Sequence, residues 1–289
     1  MRVALATEPA ARGRANEDFA AFSDGVAVLL DGATVPAGVP GSPAPCAHDA
    51  QWFTRELGTR ILAELSAEPP VWIAEGVGRA IDDTAAYHAE TCPIDDRTHP
   101  SATIAVLREL PDEYEYYVLG DSTIVFDLTT GEPVARSDKR LSDIAVAERR
   151  QVMATTPGTA ARQEALAALI KAERAHRNVR GGYWIAATNP DAAARGRQGH
   201  VRRGTLRRAA LLSDGAASAV DRYGLMDWGR ALDALESLGP GHLIEQVRSA
   251  ESSDPDGARW PRIKAGDDAT VLFCTPDPPV SLDPFFSSA

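Results

Sequence analysis

The chain has 289 residues, 44% apolar and 25% charged, with 41 acidic against 30 basic side chains and a net charge of −11. That length and composition suit a folded domain with a sizeable core and exclude a disordered chain. The acidity argues against a nucleic-acid partner, and apolar runs as short as Val26–Leu30 exclude a spanning helix and a membrane partner.

Met1 to Ala10 lacks a basic-then-apolar leader pattern, which with the odd, scattered cysteines (Cys46, Cys92, Cys274) predicts a cytoplasmic protein without a disulfide framework. Residues 2–7 read as a strand. Residues 18–31 read as a hairpin of two strands around Asp24-Gly25. The proline- and glycine-rich stretch 35–45 reads as an irregular loop. Two helices follow over residues 48–66, with Trp52, Phe53, Leu57, Ile61 and Leu65 at helical spacing, and 71–90, with Trp72, Ile73, Val77 and Ile81. Both tryptophans are expected in the core.

Strand patterns return at 101–108, 114–119 and 122–128. Residues 138–180 are polar, arginine-rich and partly helical, a surface excursion. Tyr183–Ala187 reads as a buried strand before a Gly/Arg-rich loop, and 208–212 as another strand. Helices are expected at 216–221, 227–237 and 240–251, and a last strand at 269–274. Strands in runs and helices in pairs indicate an α+β fold with mostly antiparallel sheets in one domain.

Five acidic spots share one character, an aspartate at the end of an apolar strand beside a small residue. They are Glu17-Asp18, Asp31-Gly32-Ala33, Gly120-Asp121-Ser122, Asp214-Gly215 and Gly266-Asp267-Asp268. A carboxylate at a buried strand end is costly without a cation. Each alone is an ordinary turn or cap. Meeting at one sheet edge, they would make an all-oxygen site suited to Mg²⁺ or Mn²⁺ rather than Zn²⁺.

In order, Arg14-Ala15-Asn16-Glu17-Asp18, Leu30-Asp31-Gly32-Ala33, Ser101-Ala102-Thr103, Leu119-Gly120-Asp121-Ser122, Leu212-Ser213-Asp214-Gly215 and Asp267-Asp268-Ala269-Thr270 resemble the metal-dependent protein phosphatases of the PPM, or type 2C, family. The resemblance spans residues 3–274. It implies a four-layer α/β-sandwich, two central antiparallel sheets flanked by helix pairs. The phosphatase domain would be 1–275, with a flap-like excursion at 138–205 and a tail at 276–289. It implies two Mn²⁺ or Mg²⁺ ions, with a third at Asp121. Asp31 would bridge the first two and the Gly32 carbonyl would bind one of them. Asp214 and Asp267 would hold the other, Glu17 and Asp18 would hold the second metal directly or through water, and Asp268 would stand behind them. The implied reaction is attack of an activated water on a phosphate monoester, with the two ions about 3.5–4 Å apart.

Three departures from the family pattern matter. Its phosphate-gripping arginine position is Gly13 here, which leaves Arg14 as the candidate contact. Its histidine after Asp-Gly is missing. His48, at a helix start, is the candidate general acid, or else a helix N-terminal histidine beside Asp49. The arginine of its Gly-Asp-Ser-Arg is Thr123. The substrate implied is a phosphorylated protein. A small phosphorylated metabolite, or a non-catalytic phosphoprotein-binding role, stays open, and a monomer is expected. Arg149, Arg150, Arg174 and Arg177 are candidates for recognising phosphorylated or acidic substrates, or form a solvated face. His99, His176, His200 and His242 show no ligand spacing and read as surface or capping residues.

Overall fold

A computed structural model describes residues 1–33, 48–92 and 99–277. The loop expected at 35–45 and most of the tail lie outside the described residues. Ten strands and seven α-helices are described. The strands are β1 (Arg2–Glu8), β2 (Phe19–Ser23), β3 (Val26–Ala33), β4 (Ser101–Glu109), β5 (Glu113–Leu119), β6 (Thr123–Leu128), β7 (Val134–Arg136), β8 (Arg197–Arg202), β9 (Leu206–Leu212) and β10 (Ala269–Thr275). The helices are α1 (Ala50–Ser66), α2 (Ile73–Ala89), α3 (Val146–Ala154), α4 (Ala160–Ala175), α5 (Asp214–Asp221), α6 (Trp228–Leu238) and α7 (Pro240–Ser253).

The strands form two antiparallel five-stranded sheets, ordered β1-β10-β9-β6-β7 and β2-β3-β4-β5-β8. Alternation along each strand builds the layers. On β3, Val26, Val28 and Leu30 pack with Phe53, Leu57, Ile61, Val77 and Ile81 of α1 and α2. Ala27 and Leu29 face the other way, onto Ile124, Phe126, Leu211 and Leu272 of the opposite sheet. On the far side, Val125, Ala210, Leu212, Val271 and Phe273 pack with α5, α6 and α7. The result is helices, sheet, sheet, helices, the four-layer sandwich that the resemblance implies.

Local signals behave as expected at most elements. Asp24 and Gly25 take the left-handed backbone of a tight hairpin turn. Asp49 caps α1 by accepting from the Trp52 N–H at 2.9 Å. Four readings need correction. Tyr183–Ala187 is not a strand. It makes only isolated bridges, Tyr183 to Arg177 and Ala186 to Ala102 of β4, while β8 holds the sheet edge beside β5. The Gly/Arg-rich loop contains β8, hidden from sequence because an exposed edge strand carries arginines instead of an apolar alternation. Trp72 stands at the N-cap of α2 and is 68% exposed, not core. Arg177 is buried, donating to the His99 carbonyl at 3.1 Å, so it belongs to no solvated face.

The excursion after residue 138 is a small helical unit. Val152, Ala165 and Leu169 of α3 and α4 form their own core. Arg162 donates to the carbonyls of Val152, Thr155, Arg262 and Ile263, tying the unit to the loop before β10.

Candidate metal centre

The space between the sheets is apolar until one end, where it turns polar. The alternation that faces Leu29, Ala105, Ile124, Leu211 and Leu272 inward puts Asp31, Thr103, Ser122, Ser213 and Thr270 on the same side at the strand ends. Their hydroxyls pair there. Thr103 Oγ1 lies 2.5 Å from Ser122 Oγ, and Ser213 Oγ accepts the Thr270 N–H at 2.9 Å.

The aspartates gather on this polar floor. The Asp214 N–H, at the start of α5, donates to Asp31 Oδ2 at 3.2 Å. Asp268 accepts the N–H groups of Ala10 and Glu17, both at 2.7 Å, which fastens the N-terminal segment to the start of β10. Thr54 Oγ1 of α1 donates to the Glu17 carbonyl at 2.9 Å. Gly32 lies so close to this segment that a Cβ there would fall 2.5 Å from the Glu17 carbonyl oxygen. Only glycine lets the strand end and the Glu17-Asp18 segment meet.

The electrostatics are those of crowded carboxyls. Burial first, then the charges of Asp214, Asp18, Asp267 and Asp121, hold the Asp31 carboxyl well above the ordinary range. Asp121 is pushed up to about 7 by burial and by Asp214. Asp18 is pushed to about 7 chiefly by burial, with Asp268 and Asp214 adding to it; the Thr270 and Ser213 hydroxyls stand near enough to offset part of this, but neither makes a hydrogen bond of normal geometry to its carboxylate. Burial and Asp267 raise Asp214. Asp18, Asp31, Asp121, Asp214 and Asp267 thus stand within electrostatic reach of one another.

The residues fit a pair of hard divalent cations. Asp18 is buried and neither of its carboxylate oxygens has a hydrogen-bond partner among the described residues. An orphaned buried carboxylate calls for a cation. Lys264 Nζ lies 2.9 and 3.0 Å from the two oxygens of Asp267, one ammonium against a group of carboxylates. Burial works against its charge, but Asp267, Asp214 and Asp31 together raise its pKa. The donors are oxygens throughout, the set that hard Mn²⁺ or Mg²⁺ prefers. Beside them opens a cleft of about 320 Å³ whose walls include Asp121, Asp214, Lys139 and Arg222.

No family model and no curated protein matches this sequence. Solved structures do match. A bacterial serine phosphatase is 13% identical at a TM-score of 0.56, covering 96% of this chain and 98% of its own. The serine/threonine phosphatase Stp1 of Staphylococcus aureus is 11% identical at 0.56, with 96% and 95% covered. The catalytic domain of the serine/threonine protein phosphatase PstP, in complex with two manganese ions, is 16% identical at 0.52, with 94% and 96% covered. This chain has the fold of the bacterial serine/threonine phosphatases.

On that phosphatase fold, the other sequence-derived candidates fall in different places. Arg14 is exposed at a turn closed by its N–H to the Ala11 carbonyl, and forms no ion pair with a described residue. His48 stacks on Trp52 and lies 3.6 Å from Cys92, in a group distinct from the carboxylates. His99 is buried against His88 rather than at the surface. Arg149 pairs with Glu173 at 2.7 Å and also favours the charge of Asp121. Sequence reasoning missed Lys264 as a neighbour of the centre. Its only signal was being one of three lysines in the chain, three residues before Asp267.

No described helix is long and apolar enough to cross a membrane.

Proposed function

We propose that this chain is a metal-dependent phosphatase that hydrolyses phosphoserine and phosphothreonine monoesters on proteins. The observation that carries this reading is the buried, partnerless Asp18 carboxylate inside a cluster of mutually raised carboxyls, on a fold shared with serine/threonine phosphatases. Asp31 would be shared between two Mn²⁺ or Mg²⁺ ions. Asp214 and Asp267 would complete one set of ligands, Glu17, Asp18 and the Gly32 carbonyl the other, and Asp121 would serve a third, weaker ion. Two bound cations supply the positive charge that acidifies a water and receives phosphoryl oxygens.

The chain's own residues do the rest. The Asp214 N–H orients Asp31, Asp268 positions the Glu17-Asp18 backbone, and the exposed Arg14 is free to reach a phosphate. His48 is proposed below for a different role, which leaves the general acid to solvent. A phosphorylated protein is the partner of this reading, met in the cytoplasm by a monomer.

The test is hydrolysis of p-nitrophenyl phosphate and of phosphopeptides with and without Mn²⁺. The expected outcome is Mn²⁺-dependent turnover, lost in Asp214→Ala, with kcat/KM higher for phosphopeptides than for a panel of phosphorylated metabolites. The reverse ranking would reassign the substrate to small molecules. No turnover with any divalent ion would leave a binding role only.

A further inference from the structure

A second group of ligating side chains lies apart from the carboxylates. His48 stands one residue before the Asp49 cap of α1. His88 is in the last turn of α2, and Cys92 follows in the turn beyond it. One ligand atom from each of the three lies within 4.8 Å of the other two. His88 and Cys92 are buried, and His48 is half-buried under Trp52, with ring centroids 4.0 Å apart. His48 Nδ1 and Cys92 Sγ are 3.6 Å apart. That equals the edge of a tetrahedron with Zn–N of about 2.05 Å and Zn–S of about 2.3 Å, which is about 3.6 Å.

Tautomer logic identifies the third ligand atom. His99 Nδ1 faces the Pro100 carbonyl at 2.6 Å. A carbonyl only accepts, so His99 carries a proton on Nδ1, and in the neutral ring its Nε2 is an acceptor. That Nε2 meets His88 Nδ1 in a short hydrogen bond. In a neutral pair His88 therefore donates from Nδ1, and its unprotonated nitrogen is Nε2. A histidine whose far nitrogen is engaged by a fixed partner is the usual arrangement of a metal ligand.

We propose that His48 Nδ1, His88 Nε2 and Cys92 Sγ bind one zinc ion, with His99 as the positioning residue that orients His88. Two imidazoles and a thiolate select zinc-class ions and reject Mn²⁺ and Mg²⁺. The thiol proton of Cys92 goes to solvent as the ion binds. The ion joins the start of α1 to the end of α2. Through His99 it also reaches the entry of β4, where Ser101 pairs with Ala33, next to Asp31-Gly32. It is a clamp behind the proposed catalytic strand end, with solvent in its fourth position, and it does not depend on the phosphatase reading.

The test uses the full chain, exchanged into Mn²⁺ buffer and then analysed for zinc by mass spectrometry. About one zinc per chain is expected to remain, and it should remain in Asp214→Ala. Replacement by Co²⁺ should give a thiolate-to-cobalt charge-transfer band and intense visible bands of a tetrahedral site. The carboxylate centre has no sulfur to produce the former. Cys92→Ser should lose that band, and His88→Ala should lower zinc affinity at least tenfold. His99→Ala should lower it about 10–100-fold while keeping the band. If these variants fail to fold, the unmodified chain still decides. Zinc-free protein with no thiolate band, and Cys92 alkylated equally fast with and without added zinc, would mean a hydrogen-bonded cluster only and overturn the proposal.

Discussion

Replacing Asp31 by asparagine should have opposite effects on the metal-free and the Mn²⁺-loaded protein. The substitution keeps the size of the side chain and an acceptor for the Asp214 N–H. It removes one charge from a position that feels Asp214, Asp18, Asp267 and Asp121. Two like charges about 5 Å apart at an effective dielectric of about 20 repel by about 3 kcal/mol. Shared protons already relieve part of this. Neutralising Asp31 should therefore stabilise the metal-free protein by about 2 kcal/mol at pH 7.5, raising Tm by about 3 °C for a chain of this size. With Mn²⁺ at 100 times its Kd, the parent gains about 2.7 kcal/mol, or about 4–5 °C. Asp31→Asn should lose most of that gain, so the two melting curves exchange order when the metal is added. Differential scanning calorimetry in chelator and in Mn²⁺ reads both numbers. A metal-free variant less stable than the parent, or one with an undiminished Mn²⁺ shift, would refute the claim that Asp31 is a charge held for a cation.

The pH dependence of the chelated protein should run against ordinary acid denaturation. Asp18, Asp31 and Asp121 hold protons in the folded state that the unfolded chain has released, so acidification through about 7 stabilises. His88, lowered to about 4, opposes them below 6.5. With three groups against one, urea denaturation should give a gain of about 1–3 kcal/mol per pH unit from about pH 7 to about pH 5, reversed when Mn²⁺ is saturating. Asp268→Ala strips the acceptor from two N–H groups. It should cost about 1–3 kcal/mol and speed amide exchange specifically at residues 9–18. In Gly32→Ala, the new methyl meets the Glu17 carbonyl at 2.5 Å. Overpacking should cost about 1–3 kcal/mol and weaken Mn²⁺ binding in calorimetric titration.

Much of this molecule was legible along the chain. Strand alternation and helical spacing are local patterns, and they located nearly every core element, including the α1 cap at Asp49 and the turn at Asp24-Gly25. The acidic residues were visible too, because each sits where an apolar run stops. Their order matched a family pattern, and the sandwich that pattern implies is the one observed. β8 escaped because an edge strand owes its place to the backbone of β5 rather than to its own side chains. His99 read as surface and lies buried, since a lone histidine has no period to betray its neighbour.

Sequence alone determined most of the strands and helices and which residues carry charge, because those depend on neighbours a few positions apart. Tertiary structure alone decided which carboxyls share one dielectric pocket, that Lys264 stands beside Asp267, and that His48, His88 and Cys92 face one another. Those facts depend on residues as distant in the chain as Asp31 and Asp214. Only the packing of two sheets, turning polar at one end, brings such residues within reach of a single ion's field.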